Sequence, residues 1–188
     1  MNPKHSEQPK RAYDRDSNVL IVDDDGTLLK FFKIHLNKFF SKVVVVEGAK
    51  EALDIMKTKE VDLLLTDVRM PKVDGLELMT KVRKAHPDIP VLLISGEPMS
   101  DEQKKMIALA DGFLAKPFTV DELNQYILGG IDLRNEMKKL LPHLKDPKKI
   151  RETFDAKPDA ISKLVKKGDK ADVDGCLAAI KSLRKKAS

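Results

Sequence analysis

Short apolar runs alternate with amphipathic segments along residues 18–128. Five runs have the length of strands, and they cover residues 19–22, 43–46, 61–65, 89–94 and 112–115. Continuous apolar runs are typical of strands buried on both faces, as in a parallel sheet. Between the runs, apolar residues recur with a period near 3.6, which predicts amphipathic helices. The alternation occurs five times and predicts a doubly wound α/β domain.

The segment after residue 128 shows helical patterns without a strand pattern. It opens with Gly129 and Gly130, and glycine costs about 1 kcal/mol inside a helix. We therefore expect the fifth helix to break at these glycines. The chain is predicted to comprise a flexible arm at residues 1–17, an α/β domain at residues 18–128 and a small all-helical extension at residues 129–188.

Four helical stretches are predicted in this extension. The first ends before Pro142, and Asp146-Pro147 can begin a second, short one. A third covers about residues 158–168, and the last places Val173 and Ile180 on one apolar stripe. About 60 residues with few large apolar groups make a weak core. We therefore expect the extension to dock on the α/β domain, on a second copy of the chain or on a partner.

An alternative stays open at the junction between the two parts. A heptad-like stripe, in which Gly130 takes the second position, is formed by Tyr126, Leu133, Met137, Leu140 and Leu144. If the fifth helix continued through the two glycines, this stripe would suit a dimerising coiled coil. A homodimer therefore stays open as a prediction.

The charge is unevenly distributed along the chain. The net charge is +5, but residues 129–188 alone hold 16 Lys and Arg against 9 Asp and Glu. This excess fits solvated helix faces as well as an acidic partner. No apolar run approaches the roughly 20 residues of a membrane helix, and the polar first residues hold no hydrophobic signal core. We therefore predict a cytoplasmic protein without a membrane segment.

Polar residues follow the predicted strands where each strand ends. Asp23 and Asp24 follow the first strand, Asp67 and Ser95 end the third and fourth, and Lys116 follows the fifth. Ligands of open α/β sheets bind at the carboxyl ends of the strands, so we expect these side chains to meet. Clustered carboxylates suit Mg²⁺, which also binds phosphate oxygens. With a lysine and a hydroxyl beside them, they can stabilise a phosphoryl group on an aspartate.

Four motifs make the chain similar to the receiver domain of bacterial two-component response regulators, the CheY-like family. They are residues 19–25 (VLIVDDD), residues 65–71 (LTDVRMP) with Asp74-Gly75, residues 93–96 (LISG) and residues 113–118 (FLAKPF). The resemblance covers about residues 18–128. It implies a flavodoxin-like fold whose five parallel strands lie in the order 2-1-3-4-5.

The resemblance also implies which residues would form the metal and phosphorylation site. Asp67 would be the phosphoacceptor. Asp23, Asp24 and Asp67 would bind Mg²⁺ as the cofactor, together with the backbone carbonyl of Arg69.

Further roles are implied for the residues on the other side of the phosphoryl group. Ser95 and Lys116 would contact the phosphoryl oxygens, and a cis peptide bond would precede Pro117. Phe113 would be the aromatic switch residue, which turns inward as Ser95 moves.

The function that the resemblance implies is a Mg²⁺-dependent signalling switch and not an enzyme, with only self-phosphorylation and slow autodephosphorylation. The phosphoryl group would come from a histidine kinase or a histidine phosphotransfer protein. The output would reach a downstream protein through the face formed by the fourth helix, the fifth strand and the fifth helix, or through the basic extension.

Two other functions are weighed against this one. Residues 23–28 (DDDGTL) also fit the DxDGT motif of haloacid-dehalogenase-like phosphatases, in which Asp23 would be the nucleophile. That interpretation leaves Asp67 and Asp74-Gly75 unexplained. A DNA-binding regulator could act through the basic extension, but residues 129–188 show neither a winged-helix strand pattern nor a helix-turn-helix signature. We therefore do not expect nucleic-acid binding.

Overall fold

A five-stranded parallel sheet forms the centre of the protein. The computed structural model describes residues 16–154, Leu164 and residues 170–187. The strands are β1 (Asn18–Val22), β2 (Lys42–Val46), β3 (Leu63–Asp67), β4 (Val91–Ser95) and β5 (Gly112–Ala115). Their order is β2-β1-β3-β4-β5, which confirms the predicted α/β class and strand order. The predicted flexible arm falls on residues 1–17, of which only the last two lie within the described part of the chain.

Helices connect the strands and continue beyond the sheet. The first five are α1 (Gly26–Leu36), α2 (Ala49–Thr58), α3 (Gly75–Ala85), α4 (Asp101–Ile107) and α5 (Val120–Leu140). They are followed by two 3₁₀ turns (Leu141–His143 and Pro147–Lys149), by α6 (Ile150–Phe154) and by α7 (Lys170–Ala187). The predicted third stretch of the extension lies outside the described residues, apart from Leu164. None of the described helices has the length and apolar character needed to cross a membrane.

Alternate residues of each strand enter two hydrophobic cores, one on each face of the sheet. In β1, Leu20 and Val22 pack into the core that includes α2 and α3. Val19 and Ile21 pack on the other face with α1 and α5. Since helices cover both faces, both sides of the strands must be apolar. This explains the continuous apolar runs in the sequence.

Helix α5 continues through Gly129 and Gly130 to Leu140, so the predicted break was wrong. Gly130 is buried, and a Cβ atom there would lie 2.7 Å from Leu63 Cδ1 and 3.0 Å from Leu92 Cδ1. Both distances are too short for a methyl group against a close-packed sheet. Gly130 therefore permits close approach of the helix to the sheet and does not mark a helix end.

The extension, which includes the second half of α5, forms a third hydrophobic core. This core joins α5, α6 and α7 through Leu133, Met137, Leu140, Leu144, Ile150, Phe154, Val173, Leu177 and Ile180. The predicted stripe in the last helix is therefore confirmed as a buried face. Four residues of the heptad-like stripe, from Leu133 to Leu144, are buried here within the same chain. All nine residues belong to the extension itself. The extension docks on the α/β domain of its own chain, one of the three predicted docking sites, through Ile131 in the core with α1 and through ion pairs.

Ion pairs also join the extension to the amino-terminal edge of the sheet, where the strands begin. The pairs are Arg134–Asp88 at 2.5 Å, Arg134–Asp62 at 3.5 Å, Lys138–Asp62 at 2.7 Å and Arg151–Asp111 at 2.5 Å. Burial would raise the pKa of Asp62, but hydrogen bonds from Lys138 and Asn18 and the nearby positive charges lower it overall. The basic residues of the extension therefore neutralise carboxylates that belong to the α/β domain.

Candidate functional site

Asp23 and Asp67 meet at the carboxyl-terminal edge of the sheet, where the strands end. Lys116 Nζ donates hydrogen bonds to Asp67 Oδ1 at 2.6 Å and to Asp23 Oδ2 at 3.0 Å. Both carboxylates are almost fully buried, with exposed side-chain fractions of 7% for Asp67 and 3% for Asp23. Residues from β1, β3 and the end of β5 are therefore brought to one point, although 93 residues separate Asp23 from Lys116 along the chain.

Backbone groups hold the two carboxylates in place. The Arg69 amide donates to Asp67 Oδ2 at 2.5 Å, and the Asp25 amide donates to Asp23 Oδ1 at 2.9 Å. Each carboxylate thus uses one oxygen for the chain and one for the lysine. Such fixed donors hold the carboxylates in a single orientation.

Gly75 allows α3 to begin directly beside Asp67. A Cβ atom at Gly75 would lie only 2.0 Å from the Asp67 carbonyl oxygen, so any other residue would displace the backbone there. Its amide donates to the Val68 carbonyl at 3.0 Å. Asp74-Gly75 was predicted as part of a motif, but this role of Gly75 was not predicted. The signal was available in the sequence, since Gly75 follows the helix-capping Asp74.

The charges at this edge do not balance. Two buried carboxylates share the ammonium group of Lys116, so the group carries an excess of one negative charge when all three are ionised. Burial raises the pKa of Asp23, although its hydrogen bonds oppose this shift. Burial alone would lower the pKa of Lys116, but the hydrogen bonds that Lys116 donates to Asp67 and Asp23 outweigh burial and raise the pKa. The excess negative charge would be relieved by a bound cation.

Asp24 is exposed and takes no part in the described contacts with Lys116. Among the described residues, no group of three or more His, Cys, Asp or Glu side chains is arranged as a ready metal site. Mg²⁺ needs only one or two carboxylates when water and phosphate oxygens complete its shell. Asp23 and Asp67, with their unbalanced charge, fit such an ion.

Ser95 and Phe113 lie on the β5 side of the site. Ser95 is the buried last residue of β4, and its carbonyl accepts the Lys116 amide at 2.7 Å. Phe113 lies in β5 and is half-buried. The peptide bond between Lys116 and Pro117 is cis, as predicted. A groove of about 890 Å³ runs from Ser95 and Lys116 past Phe113, between α4 and the end of α7.

The exposed side chain of Arg69 reaches the loop that follows β4. Its Nε lies 3.2 Å from Glu97 Oε2, and its Nη2 donates to the Pro98 carbonyl at 3.2 Å. Glu97 was not singled out by the sequence analysis. Its sequence signal is weak, because a single glutamate after a strand is an ordinary loop residue.

The geometry does not favour the phosphatase alternative. In that motif the second acid would be Asp25, as general acid and base. Asp25 Oδ1 instead accepts the amides of Thr27 and Leu28 at 2.8 and 3.2 Å, so it caps α1. This capping role agrees with the preference for Asp at helix N-caps.

Comparison with known protein families identifies the family of the α/β domain. A family model described as "Response regulator receiver domain" matches residues 19–128, more than half of the chain. The chain belongs to the response regulator receiver domain family. A receiver domain is a phosphoryl-accepting signalling switch of two-component systems, and the resemblance inferred from the four motifs is thereby confirmed.

Curated relatives of this receiver domain include a response regulator and a probable transcriptional regulator. The chain is 34% identical over 108 residues to the heme response regulator HssR of Staphylococcus saprophyticus, covering 57% of this chain and 48% of that protein. It is 35% identical over 133 residues to the probable transcriptional regulator ycf27 of Cyanidium caldarium, covering 69% of this chain and 52% of the relative. The chain thus spans about half the length of the curated relatives it matches.

Solved structures resemble the receiver domain over nearly their whole length. A CheY-like receiver domain protein from Methanospirillum hungatei has a TM-score of 0.61 at 27% identity, covering 64% of this chain and 98% of that one. The chemotaxis response regulator CheY4 of Vibrio cholerae has a TM-score of 0.54 at 27% identity, covering 60% and 97%. These matches leave about a third of this chain without a counterpart.

Proposed function

We propose that Asp67 accepts a phosphoryl group from a phosphohistidine of a histidine kinase or a histidine phosphotransfer protein. One observation carries this proposal: the buried Asp67 and Asp23 carboxylates share one ammonium group, that of Lys116, at the carboxyl ends of the strands. A buried carboxylate fixed by the Arg69 amide is oriented for attack on an electrophile. The site therefore has a nucleophile, a cation and a second acid at one point.

The transfer would proceed as a displacement at phosphorus. An Asp67 carboxylate oxygen attacks the phosphorus atom, and the bond between phosphorus and the histidine nitrogen breaks with its electron pair staying on that nitrogen. The imidazole, already protonated on its other ring nitrogen, leaves as a neutral group. Lys116 then donates to a phosphoryl oxygen in place of its bond to Asp67, and the Ser95 hydroxyl donates from the β4 side. Catalysis of this kind depends on positioning and charge compensation.

Asp23, Asp24, Asp67 and the carbonyl of Arg69 would hold Mg²⁺. When bound, this ion supplies positive charge to the phosphoryl oxygens. The support for this ligand set is the charge excess at the edge, where two buried carboxylates face a single lysine side chain.

The switch would act through the residues beside the phosphoryl group. Phosphorylation would replace the single negative charge of the Asp67 carboxylate by nearly two on the phosphoryl group, and new bonds to Ser95 and Lys116 would stabilise a second conformation. Ser95, Lys116 and Phe113 all line the groove that α4 and α7 border. The output would reach a downstream protein through the face of α4, β5 and α5, or through the basic extension.

The decisive experiment uses acetyl phosphate as the phosphoryl donor with the full chain and Mg²⁺. Intact-mass spectrometry is expected to show the addition of one phosphoryl group, sensitive to hydroxylamine as an acyl phosphate is. Asp67→Asn should abolish it, and chelation of the divalent cation should suppress it. Asp62→Asn is the matched control, because Asp62 is a buried carboxylate just before the other end of the same strand.

The same experiment distinguishes phosphorylation of Asp67 from the phosphatase alternative. Labelling that survives in Asp67→Asn but disappears in Asp23→Asn would contradict the proposal. Sustained hydrolysis of p-nitrophenyl phosphate by Asp67→Asn would point to the phosphatase. We expect neither result.

A further inference from the structure

Strand β5 lies at an edge of the sheet and is less enclosed than β3 and β4. It pairs with β4 only, whereas β3 and β4 each have a neighbour on both sides. Every residue of β3 and β4 is buried, but Phe113 and Leu114 are half-buried and Ala115 is exposed. The position of an edge strand depends more strongly on contacts from outside the sheet than that of a central strand. Lys116 directly follows β5.

The extension supplies such a contact through Arg151 in α6. Its Nη1 donates to Asp111 Oδ1 at 2.5 Å, its Nε to the Pro87 carbonyl at 2.7 Å and its Nη2 to the Ile89 carbonyl at 2.8 Å. The Arg151 side chain is 13% exposed and that of Asp111 is fully buried. A guanidinium group with three fixed acceptors at a buried site forms a rigid junction.

Asp111 connects this junction to the start of β5. It immediately precedes Gly112, the first residue of the strand. Its Oδ2 accepts the Val91 amide at 2.9 Å, and its own amide donates to the Val91 carbonyl at 3.0 Å. Arg151 thus fixes the beginnings of both β4 and β5. The ends of the same two strands carry Ser95 and Lys116.

We infer that Arg151 is a positioning residue for the phosphorylation site, which it serves by holding β5 and with it Lys116. This inference rests on the proposed function, because it concerns the rate at which Asp67 is phosphorylated. β5 has four residues and is about 13 Å long, and it is held at its start by Arg151 through Asp111. At its far end the Lys116 amide bonds to Ser95 and its ammonium group to Asp67 and Asp23. A shift at the start of this strand changes the place of the ammonium group.

The other basic residues at the amino-terminal edge act on strands that are held from both sides. Arg134 pairs with Asp62 and Asp88, which precede β3 and β4. β3 lies between β1 and β4 and is fully buried, so Asp67 keeps its place without this pair. Arg134, with 12% of its side chain exposed, is therefore a matched control for Arg151.

The test measures phosphorylation of the full chain by acetyl phosphate at saturating Mg²⁺. Arg151→Met is compared with Arg134→Met and with Arg151→Lys, which keeps the charge but not the fork of donors. The double variant Arg151→Met/Asp111→Asn removes the unpaired buried charge as well, so that the chain folds even where Arg151→Met does not. Hydrogen exchange of the amides of residues 112–116 reports on β5.

We expect Arg151→Met and the double variant to lower the rate constant of phosphorylation by about tenfold, because small displacements of a catalytic cation reduce rates strongly. The Mg²⁺ concentration for half the maximal rate should stay unchanged, and amides 112–116 should exchange faster. The rate constant of Arg151→Lys should lie between those of the wild type and Arg151→Met. The rate constant of Arg134→Met should stay within twofold of the wild-type value.

A rate constant within twofold of wild type in the double variant would overturn the inference, and so would faster exchange spread evenly over the chain. Both results would make Arg151 a purely structural residue. A wild-type chain that acquires no phosphoryl group would instead contradict the proposed function, and the inference with it. The two failures are therefore distinguishable.

Discussion

The two edges of the sheet bury carboxylates in different ways. At the carboxyl-terminal edge, Asp23 and Asp67 share the ammonium group of Lys116. At the amino-terminal edge, carboxylates of the α/β domain meet basic residues of the extension in equal number, with Asp62, Asp88 and Asp111 opposite Arg134, Lys138 and Arg151. The first edge keeps an excess of negative charge, and the second is neutral.

This difference separates a chemical site from a structural junction. A neutral buried ion pair resists both ligands and solvent, because each charge already has its partner. Unbalanced charge on buried side chains favours the binding of a cation, or of a phosphoryl group together with its counterion. Burial of a carboxylate alone therefore identifies neither role, and the balance of the surrounding charges distinguishes them.

The largest expected effect is a lower rate of Asp67 phosphorylation without a matching loss of folding stability. Lys116→Met should lower the rate of Asp67 phosphorylation by about a hundredfold, since it removes a fixed cation from the reacting group. Phosphorylation by acetyl phosphate, followed by intact mass, measures it. A variant that reacts at the wild-type rate would show that the shared ammonium group has no role in the chemistry.

At the neutral edge, a large loss of folding stability is expected beside the slower phosphorylation. Arg151→Met leaves the buried Asp111 carboxylate without its partner and should lower the free energy of unfolding by about 3 kcal/mol. Urea denaturation of the full chain measures this loss. The matched control is Lys149→Met, because Lys149 is half exposed and pairs with Glu152 at 3.7 Å, a contact worth less than about 1 kcal/mol. Equal losses in both variants would contradict the comparison.

Helix α5 runs past both edges, and its two glycines allow a paired test. Gly130→Ala should lower the free energy of unfolding by about 1 to 2 kcal/mol, since the new methyl group meets Leu63 at 2.7 Å. Gly129→Ala should raise it by about 0.5 to 1 kcal/mol, because a Cβ atom there meets no described atom within 4 Å and alanine favours a helix. Thermal or urea unfolding of the two variants measures the difference. A stabilising Gly130→Ala would exclude close packing as the reason for that glycine.

The smallest expected effect concerns acid stability at the amino-terminal edge. The pKa of Asp62 is lowered from 3.8 in the folded protein, through bonds from Lys138 and Asn18 and the charge of Arg134 that outweigh burial. A carboxylate with a lowered pKa stabilises the fold above its unfolded pKa, and this contribution is lost as the pH falls through the folded value. Asp62→Asn should therefore cost about 1 kcal/mol at pH 7 and progressively less below pH 4. A cost that stays constant down to pH 2 in urea titrations would contradict this assignment.

Much of the fold and of the site was predictable because it depends on local patterns. Apolar runs gave the five strands, and the residues just beyond them, such as Asp23 and Lys116, marked one edge of the sheet. The contacts of Gly130 were not predictable, since helix propensity alone suggested a break, whereas packing against Leu63 and Leu92 decides the outcome. The pairing of Arg151 with Asp111 was not predictable either, because 40 residues separate them and charge alone does not identify the partner of a residue.

Because α5 is uninterrupted, it couples the orientation of the helix on the sheet to the position of the third core. The helix has 21 residues and is therefore about 32 Å long, and it touches the sheet closely at Gly130, near its middle. Leu140 lies ten residues beyond this pivot, about 15 Å along the axis. A tilt of about 5° at Gly130 would displace Leu140 by about 1.3 Å, and the third core would travel with it as one body.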